Sequence, residues 1–186
     1  GIAQLPSAIV MVVLSPRSPA AVARIGVRKT VFVGMVSMVA GLLVFAQVGP
    51  STPYMVAMVA LVLTATGMAL TMPSTTAGLV GSLPAGKAGV GSAVNDTTRE
   101  VGGALGIAVM GSVLTSVYRE SLSLPAQLPA AAADAARRSI GAALEVAGRA
   151  PGALGDPLAE GARASFAQGA STSFYVAAAV MGLVAV

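Results

Sequence analysis

An all-α integral membrane protein is the fold class this sequence predicts, and three observations carry it. Of the 186 residues, 55% are hydrophobic and only 10% are charged, against roughly one quarter charged in ordinary soluble domains. The mean hydropathy is +0.84. Uncharged stretches reach the length of about 20 residues that a helix needs to cross a bilayer. With too few polar side chains to cover a surface in water, the chain has lipid as its main solvent and the lipid bilayer as its first partner.

Cysteine and histidine are both absent. No disulfide, thiolate metal site or cysteine nucleophile can form, and the commonest general base and zinc ligand are missing. The 7 acids and 11 bases that remain include none inside a complete span, so no enzyme, catalytic residue, metal site or cofactor is expected. The net charge of +4 and pI near 10.1 would suit nucleic acid only with dense basic faces and stacking aromatics. Aromatics are 4% of the chain, so no nucleic-acid partner is predicted.

Five apolar segments follow in order. Residues 1–14 read as the tail of a span, and the chain stops at Val186 inside another apolar run, which predicts a piece of a longer protein. A signal peptide is the other reading of residues 1–14, but its basic cluster would come before the apolar run rather than after it. Between Thr30 and Gly86 there is no charge. That run is too long for one span, and Gly49-Pro50-Ser51-Thr52-Pro53 interrupts it as a turn, so 30–48 and 54–80 are two spans. A fourth helix is predicted over 97–118, its apolar part opening at Val101. The last span opens at Ser171 and is truncated. The organisation expected is membrane helices and short loops over 1–118, an extracytoplasmic, partly helical loop over 119–170, and the start of a final span over 171–186.

Short loops rich in lysine and arginine stay cytoplasmic. Arg17, Arg24, Arg28 and Lys29 place the first loop inside, the uncharged turn 49–53 falls outside, and Lys87 returns the chain inside. The 119–170 loop is then outside, where its five arginines balance its five acids. Within it Asp134 with Arg138, and Glu145 with Arg149, stand at the favourable i,i+4 spacing. Asp156-Pro157 suits a helix start and Gly169 a helix stop. Short helices lying on the membrane surface are predicted, serving either as a lid or as a tolerated surface loop.

Three motifs carry candidate function. Pro73 sits deep in the third span, where it removes a backbone hydrogen bond and frees the carbonyl of Ala69. Around it Thr64, Thr66, Gly67, Thr71 and Thr75 either line a polar cavity or bond back to their own helix. Next, Asn95, Asp96, Arg99 and Glu100 border the fourth span on the inner face, as helix caps or as a cytoplasmic gate. Finally Gly102, Gly103, Gly106 and Ala108 present small residues at the spacing that lets helices approach closely.

The ordered set of features resembles the C-terminal half of a major facilitator superfamily transporter of the fourteen-span drug:proton antiporter branch. Ala23-Arg24-Ile25-Gly26-Val27-Arg28-Lys29 looks like a second copy of the family's inner-loop motif, with Ala23 where the family has aspartate. Arg24, Gly26, Arg28 and Lys29 are its inner-loop latch candidates. The stretch from Ala88 through Asn95-Asp96-Thr97-Thr98-Arg99-Glu100 to Ala108 looks like the family's entry into its penultimate core span, where glutamine is more usual at Glu100. The resemblance implies a multi-pass protein of the bacterial inner membrane that exports drugs or other amphipathic or cationic compounds by alternating access. It also implies a proton as coupling ion, bound outside this stretch. A facilitator of one specific metabolite, or a non-transporting scaffold paired through Gly102 and Gly106, are the alternative readings.

Overall fold

The computed structural model describes residues 2–81, 84 and 87–185. Among them are eight α-helices, two short 3-10 turns and no strand. Five stretches are long and apolar enough to cross a membrane: Leu5–Ile25, Val27–Phe45, Tyr54–Leu79, Gly89–Ser121 and Ala153–Ala185. The protein is an all-α integral membrane bundle.

The first span is built in pieces, and proline is the reason. α1 (Leu5–Leu14), the turn Ser15–Arg17 and α2 (Ser18–Ile25) each carry a proline in their first two positions. There the missing N–H costs nothing, whereas in a helix interior it would break a bond. Gly26, at φ +84°, ends α2 with the one positive φ among the described residues, and α3 (Val27–Phe45) starts at once. The basic stretch expected as a loop after residue 14 is therefore helical apart from Gly26. Ala20, Ala21, Val22 and Ala23 sustain the helix between Arg17 and Arg24, and Arg28 and Lys29 fall in the first turn of α3.

After α3 the turn closes through Thr52, whose hydroxyl accepts from the Gly49 N–H at 2.8 Å. α4 (Tyr54–Gly81) carries Pro73 in its interior. It runs antiparallel to α3 and alongside the first span. At one end the Tyr54 hydroxyl donates to the Ala3 carbonyl at 2.6 Å, while Gly78 approaches Val27 at the other. This second end, which carries Arg24, Arg28 and Lys29, is the basic end of the bundle.

The predicted inner loop beginning at Leu83 lies in part outside the described residues. α5 (Ala88–Ser121) begins at Ala88 rather than near residue 97. Its 34 residues span about 51 Å, well beyond a hydrocarbon core of about 30 Å, so its polar opening turns extend past the apolar stretch. α8 (Gly152–Ala185) is equally long. Gly169 lies inside it and stops nothing: a Cβ there would meet the Leu114 carbonyl oxygen of α5 at 2.7 Å. Ser173 of α8 donates to the Met110 carbonyl at 3.0 Å across the same seam. On its other flank α8 meets α3, with the Phe45 and Phe174 rings stacked 5.3 Å apart.

Between α5 and α8 stand α6 (Ala130–Arg138) and α7 (Ile140–Arg149). They build a packed cap with its own core of Tyr118, Leu122, Ala136, Ala143, Ala147, Leu158 and Ala162. The Tyr118 hydroxyl donates to the Ala136 carbonyl at 2.9 Å, and Ser139 caps α7 by accepting from the Ala142 N–H. Glu145 and Arg149 form the expected ion pair at 2.7 Å; Asp134 and Arg138 form none.

Candidate functional site

Two regions gather the polar side chains: the kink of α4, and the cleft between α4 and α5 at the basic end. At the kink, Pro73 has no N–H for the Ala69 carbonyl, and the neighbouring carbonyl of Leu70 draws two hydroxyls. Ser74 Oγ donates to it at 2.6 Å. Ser18 Oγ, from the start of α2, lies 3.0 Å from Ser74 Oγ and 3.3 Å from the same carbonyl. Ser18 and Ser74 are fully buried. The pair pins the broken first span to the kinked helix, where small hydroxyl residues allow both close approach and a hydrogen bond across the seam.

Three of the six cavity candidates pack into the seam with α3. Thr64, Gly67 and Thr71 face α3: Thr64 packs on Gly41, Thr71 Oγ1 lies over Gly34, and Gly67 lies against Gly34 and Met38. Thr64 and Thr66 donate back to their own helix, to the carbonyls of Ala60 and Val62 at 2.8 Å each. Thr75 is exposed and donates to the Thr71 carbonyl at 3.0 Å. This is the self-satisfied arrangement, with a spacing of three and four that places Ala60, Thr64, Gly67, Thr71 and Ser74 along one stripe. Thr71 Oγ1 is the exception, being buried without a hydrogen-bond partner among the described residues.

The α4/α5 cleft, of about 520 Å³, is lined by Met72, Asp96, Arg99 and Glu100. Asn95 donates to the Thr76 hydroxyl at 3.4 Å, and Arg99 reaches Met72 Sδ at 3.7 Å. Because α5 already starts at Ala88, these residues do not cap it; they occupy its third and fourth turns, on the side toward α4. Asp96, Arg99 and Glu100 are exposed and make no ion pair with one another. A charged rim on a soft methionine wall can receive an amphipathic molecule or a charged side chain.

A Cβ built on Gly102, Gly103 or Gly106 meets no other helix within 4 Å among the described residues, and Ala108 is exposed. Close-packing glycines are Gly34, Gly41 and Gly67 at the α3/α4 seam, Gly169 at the α5/α8 seam and Gly155, against the Ala147 carbonyl of α7. Sequence reasoning passed over Gly34 and Gly41 because a glycine's partner lies on another helix; their separation by seven residues, two helical turns, was the available signal. Among the latch candidates Arg24, Gly26, Arg28 and Lys29 are all exposed. Thr30, buried just beyond them, donates to the Gly26 carbonyl at 2.9 Å and fixes that bend.

Five apolar helices, close-packed through glycine and serine and with polar side chains gathered at a kink and at one end, define a multi-pass membrane bundle. Known proteins resemble it over nearly its whole length. The chain is 30% identical over 178 residues to the multidrug efflux pump LfrA of Mycolicibacterium smegmatis, covering 96% of this chain and 35% of that protein. It is 27% identical over 186 residues to the methyl viologen resistance protein SmvA of Salmonella typhimurium, covering 100% of this chain and 38% of that one. Against the tetracenomycin C resistance and export protein of Streptomyces glaucescens it is 30% identical over 187 residues, covering 97% of this chain and 35% of that one. No family model matches the chain. These relatives are multidrug efflux, resistance and export proteins that the chain resembles over nearly its whole length, and with five apolar helices it is a multi-pass protein of the bacterial inner membrane. It spans a little over a third of the length of these relatives.

Proposed function

We propose that this chain is the C-terminal part of a secondary transporter that exports amphipathic or cationic compounds by alternating access, driven by proton influx. The observation that carries the reading is likeness over nearly the whole chain to proteins named for multidrug efflux, resistance and export. The packing supports it. α3 with α4, and α5 with α8, are joined by contacts between backbones, while across the α4/α5 cleft Asn95 and Arg99 make only long side-chain bonds among the described residues, at 3.4 and 3.7 Å. Two tight pairs and a loose seam allow movement where the charges stand.

In this reading Asp96, Arg99 and Glu100 form the cytoplasmic gate, exchanging partners between inward-open and inward-closed states, and Arg24, Arg28 and Lys29 hold the cytoplasmic side. No acidic or basic side chain lies within the apolar stretches 30–48, 54–80 and 101–118, so in this reading the coupling carboxylate is supplied elsewhere in the full-length protein. The test is expression of the full-length gene in a bacterial host stripped of its own pumps, with accumulation of ethidium as the readout. Accumulation falls below that of the empty-vector strain and recovers on adding a protonophore; equal accumulation in both strains refutes export of this class of compound.

A further inference from the structure

At the basic end of the seam between α3 and α8 lies an open groove of about 800 Å³. Phe32 and Met35 from α3 and Val184 from α8 form its apolar walls, and Arg28 and Lys29 stand at its rim. No acid lines it, and neither cation has an ion-pair partner among the described residues. Phe32 is 48% and Val184 72% exposed, so the walls have room for an occupant.

We propose that this groove holds an anionic phospholipid, its acyl chain along the apolar walls and its phosphate at Arg28 and Lys29. An apolar trough closed at one end by two unneutralised cations has the polarity of one half of a lipid molecule, and basic pockets between helices at the cytoplasmic face select anionic headgroups. A second copy of the chain seated here by a two-fold axis would bring Arg28 and Lys29 against their own counterparts, a like-charge contact. An apolar helix would fill the trough and leave both cations without a partner. The lipid satisfies the walls and the charges together. This inference is independent of the export reading, since it concerns no transport step.

The test uses the full-length protein reconstituted in vesicles of equal parts phosphatidylethanolamine and phosphatidylglycerol, gently extracted, with retained lipid counted by native mass spectrometry. Phosphatidylglycerol stays bound in preference to phosphatidylethanolamine. The double variant Arg28→Gln, Lys29→Gln lowers its retention roughly thirtyfold, at about tenfold per 1.4 kcal/mol and about 1 kcal/mol per basic residue. Val184→Trp, which fills the trough from an exposed position and leaves the charges alone, also lowers it. Lys87→Gln, a cation that does not line the groove, leaves it unchanged. Equal retention of the two lipids, unchanged retention in either of the first two variants, or an equal loss in Lys87→Gln overturns the proposal.

Discussion

Gly34 of α3 and Gly67 of α4 meet backbone to backbone. A Cβ built on Gly67 would fall 2.5 Å from the Gly34 carbonyl oxygen, and one built on Gly34 would fall 3.0 Å from the Gly67 carbonyl oxygen. In lipid no hydrophobic force draws two helices together, so contacts of this closeness supply the attraction through dispersion. The α3/α4 pair is thereby the most rigid element of the bundle, and α1, α2 and α8 are hung on it.

The first prediction follows from that approach. Gly67→Ala forces a methyl group into backbone that cannot yield, and is expected to destabilise the protein by about 1–3 kcal/mol, read as a lower melting temperature in detergent. A Cβ on Gly106 meets no facing helix among the described residues, so Gly106→Ala does not lower the melting temperature, and its better helix propensity acts in the opposite direction. A melting temperature unchanged in Gly67→Ala would disprove the close seam.

A second prediction concerns the serine pair beneath Pro73. Ser18→Ala and Ser74→Ala should couple in a double-mutant cycle, because each hydroxyl is the other's neighbour at 3.0 Å. The coupling expected is about 0.6 kcal/mol, the average for hydrogen bonds between membrane helices. Strict additivity would show that the two helices are held by packing alone.

Thr71 supports a third. Its hydroxyl oxygen is buried without a partner among the described residues, so Thr71→Val removes a desolvated polar atom at constant shape. Stability is expected to hold or to rise by about 1 kcal/mol. A fall in stability would mean that the hydroxyl has a partner supplied from elsewhere in the full-length protein.

Tyr118 anchors the cap. Tyr118→Phe deletes the hydrogen bond to Ala136 and leaves that buried carbonyl without its partner, at a cost of about 1–3 kcal/mol. The α6 segment should open more often and be cut sooner by trypsin at Arg137 and Arg138. Cleavage at the original rate would show that the apolar core of the cap is sufficient.

The five membrane segments were legible because a helix in lipid must be long, apolar and uncharged, and that constraint is written locally in the sequence. Helix ends were less so. Residues 15–29 carry four basic groups and two prolines, which reads as a loop, yet prolines at first-turn positions tolerate the helical course they take. The start of α5 was placed late for a related reason: Asn95, Asp96, Thr97 and Thr98 are capping residues by type, but Ala88 to Val94 already form helix before them. The choice between Gly106 and Gly67 as the packing glycine was not local at all. Both stand among small residues, and only the identity of the facing helix separates a close seam from an open face.

The central claim is that the full-length protein exchanges an amphipathic cation for protons. Its most direct test is a proteoliposome experiment with an imposed pH gradient and a pH-sensitive dye inside, to which ethidium is added. The account predicts that ethidium addition speeds the collapse of the gradient in wild-type liposomes, and that liposomes without protein show no such effect. Ethidium movement with no change in the rate of proton flux would contradict it.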